Sequence, residues 1–131
     1  HIFIPLGAKY SYDQARQFVQ LLVTITNERT SKITSLERSP AKRKHMIYLD
    51  YLQNSEGQTL ASAYCVRPTK AASVSTPLHW DEVKVGLDPA KFTIKTTATR
   101  VKRVGDLWKP VLGDGVDLNN VLRNLTNITK N

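Results

Sequence analysis

The 131-residue sequence has one cysteine and one methionine, and no apolar run approaches the ~18 residues that a membrane-spanning helix requires. Cys65 has no partner for an internal disulfide and no second cysteine for a zinc cluster, so the chain reads as a protein of a reducing compartment. Its neighbours Ala63, Tyr64 and Val66 mark it as an inert thiol in an apolar stretch. Several catalytic signatures are missing too. Gly113-Asp114-Gly115 lacks the Lys and Ser/Thr of a phosphate loop, and neither a Gly-x-Ser-x-Gly elbow nor a His-Glu-x-x-His pair occurs. These absences remove serine hydrolases, zincins and P-loop nucleotide hydrolases. No basic segment precedes the apolar start His1-Ile2-Phe3-Ile4, which argues against a signal peptide.

What is present fits one globular domain, residues 1–131, with 40% hydrophobic and 23% charged residues arguing against disorder. Nineteen Lys and Arg against eleven Asp and Glu give a net charge of +8. That balance suits a polyanionic partner, because each neutralised phosphate releases counterions. It equally suits a solvated basic surface without a specific partner.

Along the chain, His1 to Leu6 reads as a buried strand. Ser11-Tyr12-Asp13-Gln14 matches a capping box, and Ala15, Phe18, Val19, Leu22 and Ile25 recur at helical spacing, predicting a helix over Tyr12–Glu28. Arg29, Lys32, Arg38, Lys42, Arg43 and Lys44 then make the densest basic segment, a loop with Pro40 as a breaker. His45 to Leu52 is apolar on both alternating faces and predicts a central strand. A turn over Asn54–Gln58 with Gly57 at positive φ returns the chain through Thr59–Arg67, making a hairpin over Met46–Val66. Residues 68–77 read as a loop, Leu78–Val83 as a docking segment with a short helix, and Asp88-Pro89 as another helix start. A helix over Thr96–Val104 carries Arg100, Lys102 and Arg103, Trp108 and Leu112 anchor a turn, and a final helix begins at Asp117. The expected fold is mixed α/β: a largely antiparallel sheet, containing the opening strand and the hairpin, flanked by helices.

Asp50 is the most informative residue. A carboxylate within a two-faced apolar strand is costly unless it binds a metal, pairs with Arg or Lys, or sits at the strand's open end. Arg67, on the returning strand at ~3.3 Å per residue, lies too far along for an assured ion pair but suits a second group on one ligand. His45 and His79 read as a strand entrance and a packing residue.

Lys42-Arg43-Lys44 leading into Ile47-Tyr48-Leu49-Asp50-Tyr51-Leu52-Gln53-Asn54, then Ala63-Tyr64-Cys65-Val66-Arg67, then Val74-Ser75-Thr76-Pro77-Leu78-His79-Trp80-Asp81-Glu82-Val83, closely resembles the polymerase domain of bacterial DNA ligase D, of the archaeo-eukaryotic primase superfamily. The resemblance runs from His1 to about Leu125. In that family a Ser-Gly-Gly…His motif precedes such an opening strand, and paired aspartates lie further upstream. The chain begins on the His, so the resemblance implies the C-terminal half of the polymerase domain as the expected reading.

The resemblance implies a catalytic, metal-binding role for Asp50, on Mg²⁺ or Mn²⁺ in a two-metal site completed by residues outside the chain. It implies triphosphate contact by Arg67 and His1, and nucleotide contact by Gln53. Arg43 resembles a loop residue that positions the DNA end, with Arg38, Lys42 and Lys44 beside it as nucleic-acid-binding residues. The implied activity is nucleotidyl transfer to DNA ends and gaps in non-homologous end joining, with ribonucleoside triphosphates, Ku, and a ligase domain or partner ligase. The implied place is the bacterial cytoplasm, at the nucleoid. One carboxylate does not hold two divalent ions, so the 131 residues alone are expected to be inactive. The alternative is a basic module that binds nucleic acid without catalysis.

Overall fold

In the computed structural model, which describes residues 1–128 and the side chains of residues 1–125, the chain divides into two compact units. One is built from His1–Gly7 with Leu60–Gly115, the other from Ala8–Thr59 with the C-terminal stretch from Val116.

The second unit opens with α1 (Tyr12–Thr30), started by the expected capping box: Gln14 N donates to Ser11 Oγ at 3.2 Å, and Ser11 N donates to Gln14 Oε1 at 2.9 Å. Its apolar face buries Phe18. The hydroxyls of Thr24, Thr26 and Thr30 donate back to carbonyls four residues earlier. Buried Thr34 donates to the Thr30 carbonyl at 3.0 Å and turns the chain into β1 (Thr34–Ser35). Strand β1 pairs in parallel with β2 (Ile47–Tyr48), Thr34 opposite Ile47 and Ser35 opposite Tyr48. Parallel neighbours need a crossover, usually helical. Residues 36–46 supply it, with a single helical turn, α2 (Pro40–Arg43), begun by Pro40. Helix α4 (Leu118–Ile128) buries Leu118, whose N–H donates to the Tyr10 hydroxyl at 3.0 Å and so satisfies one orphan amide of the helix start.

In the first unit, Phe3 packs edge-on against Trp108 with ring centroids 4.5 Å apart. Residues 64–75 fold back on themselves: Tyr64 N donates to Ser75 O, Ser75 N to Cys65 O and Arg67 N to Ser73 O, with Val66 and Val74 bridged antiparallel. Ser73 in turn bridges Thr93, the N-cap of α3 (Ile94–Val104). Single 3₁₀ turns at Trp80–Glu82 and Pro89–Lys91 lie between, the latter capped by Asp88 as the Asp-Pro pair predicts. At Gly115 the backbone has φ +75° and lies so close to Leu6 and Gly7 that a Cβ would stand 2.3 Å from the Gly7 nitrogen.

The sheet corrects the sequence expectation. Among the described residues it is two-stranded and parallel, not largely antiparallel. His1–Leu6 forms no strand, and Ile2 is 71% exposed. The Met46–Val66 hairpin does not form, because β2 ends at Tyr48 and Ile47 is 60% exposed. Asp50 supplies a local alternative to a ladder. Its Oδ1 accepts from Leu52 N at 2.9 Å, an Asx turn that takes the Leu52 donor away from any ladder. Pro40 likewise begins a helical turn instead of breaking structure. The turn after β2 keeps Gly57 at φ +76°, as expected.

Candidate functional site

The basic segment acquires a defined place: Arg38, Lys42, Arg43 and Lys44 all belong to the crossover between two parallel strands. Its only acidic residue, Glu37, is exposed, its carboxylate accepting from Ser39 N at 2.9 Å. Arg38, Lys42 and Lys44 are exposed. Lys44 takes φ 58° and ψ −122°, uncommon for a residue with a side chain, and turns the chain directly after Arg43. Arg43 is half-buried, with its guanidinium carbon 4.8 Å from the centroid of the Tyr48 ring.

Tyr48 sits at the centre of this group. Burial raises its hydroxyl above the ordinary phenol value; Asp50 pushes in the same direction, while Arg38 and Arg43 oppose it. Tyr48 went unrecognised as a site residue in the sequence, where it read as one apolar position in a strand. The available signal was an aromatic residue just after a run of cations.

Asp50 is exposed, so the burial argument that singled it out does not hold. It stands two residues beyond the end of β2, where water solvates it at little cost. Its Oδ1 accepts from Leu52 N, and Oδ2 takes no part in that bond. Gln53 lies in the same turn, half-buried, its Nε2 donating to Thr59 O at 2.7 Å and its Oε1 available as an acceptor. Among the described residues no group of three or more His, Cys, Asp and Glu is placed to hold a metal ion. Asp50 by itself is not a cation site, since a divalent cation takes several oxygen ligands.

In the other unit, His1 is exposed, its ring edge-on to Phe3 at 6.3 Å. Arg67 stands at the mouth of the folded-back 64–75 segment, its backbone pinned to Ser73. Its side chain is exposed, with no carboxylate of the described residues in ion-pair range. The structure thus places Asp50, Gln53 and the basic crossover in one unit, and His1 and Arg67 in the other. Arg100, which the sequence places on one helix with Lys102 and Arg103, is committed to an acidic partner. Both its terminal nitrogens donate to Glu82, which holds the Glu82 carboxyl below its usual range.

Residues 1–108 match the family described as LigD, primase-polymerase domain. The chain is 37% identical over 105 residues to the bifunctional non-homologous end joining protein LigD of Bacillus subtilis, an alignment covering 79% of this chain and 17% of that protein. It is 26% identical over 119 residues to the multifunctional non-homologous end joining protein LigD of Pseudomonas aeruginosa, covering 86% of this chain and 14% of that one. The chain spans about a sixth of the length of the curated relatives it matches.

Proposed function

The chain belongs to the LigD primase-polymerase domain family, and from that membership we propose that it is part of a DNA-repair polymerase domain that adds nucleotides to DNA ends and gaps in non-homologous end joining. In the reaction the primer 3′-oxygen attacks the α-phosphorus of a nucleoside triphosphate. A new P–O bond forms, the α–β bridge breaks with release of pyrophosphate, and the hydroxyl proton leaves to solvent. Bound Mg²⁺ or Mn²⁺ supplies charge neutralisation for the triphosphate.

This chain's own residues would do the holding. The exposed Arg67 guanidinium suits bidentate contact with phosphate oxygens, and His1 adds a second donor to the same triphosphate. Asp50 offers Oδ2 to a cation, and Gln53 offers Oε1 to the nucleotide. Arg38, Lys42, Arg43 and Lys44 meet DNA phosphates, which positions the end without reading its sequence. Ribonucleoside triphosphates are the proposed substrates, Ku and a ligase domain or partner ligase the proposed co-workers, and the bacterial cytoplasm the proposed setting. No helix among the described residues is long and apolar enough to cross a membrane.

The observation that carries this reading is the family match. Every residue named above lies within the matched residues 1–108. The test is primer extension on a gapped duplex with Mn²⁺ and ribonucleotides, comparing the complete reading frame that encodes the chain, its Asp50→Ala variant and the 131 residues alone. Extension by the first and not by the other two is the expected result. Extension by Asp50→Ala at the parent rate would show the carboxylate to be dispensable. A second reading, a basic module that binds nucleic acid without chemistry, is favoured by the exposed cations of the crossover. It predicts DNA binding by a complete reading frame that extends nothing.

A further inference from the structure

We infer that Tyr48 is the positioning residue of the basic crossover, its ring holding the Arg43 guanidinium in a fixed plane so that the free N–H edge is presented to a DNA phosphate. The inference rests on the reading that the crossover contacts DNA.

Arg43 differs from its neighbours. Arg38, Lys42 and Lys44 are exposed on flexible stems, whereas Arg43 is half-buried and lies over an aromatic face at 4.8 Å. Among the described residues it has no carboxylate within ion-pair distance. A guanidinium stacked on a ring uses its π face, and its donors point outward in the plane, where they can fork onto two phosphate oxygens. The backbone that carries the ring is held on both sides. Tyr48 lies in the β1–β2 ladder, with Ile47 N donating to Ile33 O at 2.8 Å on one side and Leu49 N to Ser35 O at 3.0 Å on the other. The other end of the pair is also fixed. Arg43 N donates to Ser39 O, and Met46 N donates to Arg43 O across the left-handed Lys44. A rigid strand thus carries the platform, and a closed turn carries the arginine, so less side-chain freedom is given up when phosphate binds.

The test is binding of a fluorescent gapped duplex across a salt series, with the wild-type chain, Arg43→Ala, Tyr48→Leu, Tyr48→Phe and the Arg43→Ala/Tyr48→Leu double variant. Arg43→Ala should lower the magnitude of the log–log salt slope by about 1, because one fewer phosphate is neutralised. Tyr48→Leu should weaken binding about two- to fivefold and move the slope toward that of Arg43→Ala. Tyr48→Phe should match the wild type, and the double variant should bind no more weakly than Arg43→Ala. Looser packing alone does not shift the salt slope. If Arg43→Ala lowers the slope and Tyr48→Leu keeps the wild-type slope, the inference is overturned and the DNA-binding reading stands. If Arg43→Ala leaves the slope unchanged, Arg43 does not meet a phosphate and the inference falls with it. If Tyr48→Phe behaves like Tyr48→Leu, the hydroxyl and not the ring face is responsible, and the stacking role is wrong. The wild-type chain gives an independent readout by NMR. Upfield ring-current shifts of the Arg43 δ-methylene protons are expected, and their absence would refute the stacked geometry without any Tyr48 variant.

Discussion

Glu82 and Arg100 meet side by side, Arg100 Nη1 donating to Oε1 at 2.6 Å and Nη2 to Oε2 at 2.5 Å, while Oε2 also accepts from His79 N at 2.8 Å. The pair ties the 3₁₀ turn Trp80–Glu82 to α3, with the arginine side chain 10% exposed and the glutamate 29%.

Its pH dependence has a definite sign. The hydrogen bonds from Arg100 outweigh burial and hold the Glu82 carboxyl below its ordinary value. A depressed carboxylate stabilises the fold above the pKa of the unfolded chain, and that stabilisation is lost as pH falls through the folded value. Glu82→Gln should cost about 1–2 kcal/mol at neutral pH, allowing for the partial exposure of the group. The same variant should lose less further stability below pH ~4.5 than the wild type does. Urea midpoints measured from neutral pH downward check both statements.

Arg100 and the crossover cations should separate in DNA binding. Lys42→Ala and Lys44→Ala should each weaken binding uniformly across sequences and reduce the salt slope by about 1. Arg100→Ala should lower stability and leave the slope unchanged, because its charge is already matched by Glu82. Salt titrations of the folded variants distinguish the two behaviours.

Two glycines at nearly the same φ should respond differently to alanine. Gly57 has φ +76° and no atom within 4 Å of an added Cβ, so Gly57→Ala should cost only the left-handed conformation, about 1 kcal/mol. Gly115 has φ +75°, and an added Cβ would lie 2.5 Å from the Leu6 carbonyl carbon, so backbone must move. Gly115→Ala should cost about 2–4 kcal/mol. Thermal unfolding of both variants measures the difference.

Asp50 separates turn from chemistry. Asn at this position can accept the same Leu52 N–H, so Asp50→Asn should change stability by less than about 0.5 kcal/mol. Asp50→Ala loses the acceptor and should cost about 1 kcal/mol. Under the proposed function both variants of the complete reading frame should lose primer extension by about 100-fold or more, as when a group stabilising transition-state charge is removed. A gapped-duplex assay beside an unfolding curve tests the two halves.

The parts legible in the sequence are those decided locally. The Ser11–Gln14 box, the Asp88 cap before Pro89 and the 3.6-residue stripe of α1 need only neighbouring residues, and each forms as read, though α1 runs on to Thr30. Strand pairing is a competition between distant segments, and there the reading failed. Ile33-Thr34-Ser35 is too short and polar to show a two-residue period, yet it is the partner that Ile47-Tyr48 takes. The real turn-back around Pro68–Ala72 looked like a loop because its polar residues are used in hydrogen bonds, Thr69 Oγ1 accepting from Ser73 N at 3.1 Å. At the site, Asp50 and Arg67 were singled out through the resemblance, and the structure places them in separate units. The approach of Arg43 to the Tyr48 ring was not legible, because an approach across a turn depends on the register that the parallel pair sets.

The hydrogen bond from Leu118 N to the Tyr10 hydroxyl joins residues 108 positions apart. On a ribosome working at ~5–20 residues per second, Tyr10 is made roughly 5–20 s before its partner exists. Helix α1 can form at once from its own capping box, but the amide that Tyr10 covers arrives only near the end of the 131 residues. Through that interval the apolar face around Phe18 is present without Leu118, and the helix start that Tyr10 completes waits for the last residues to be made.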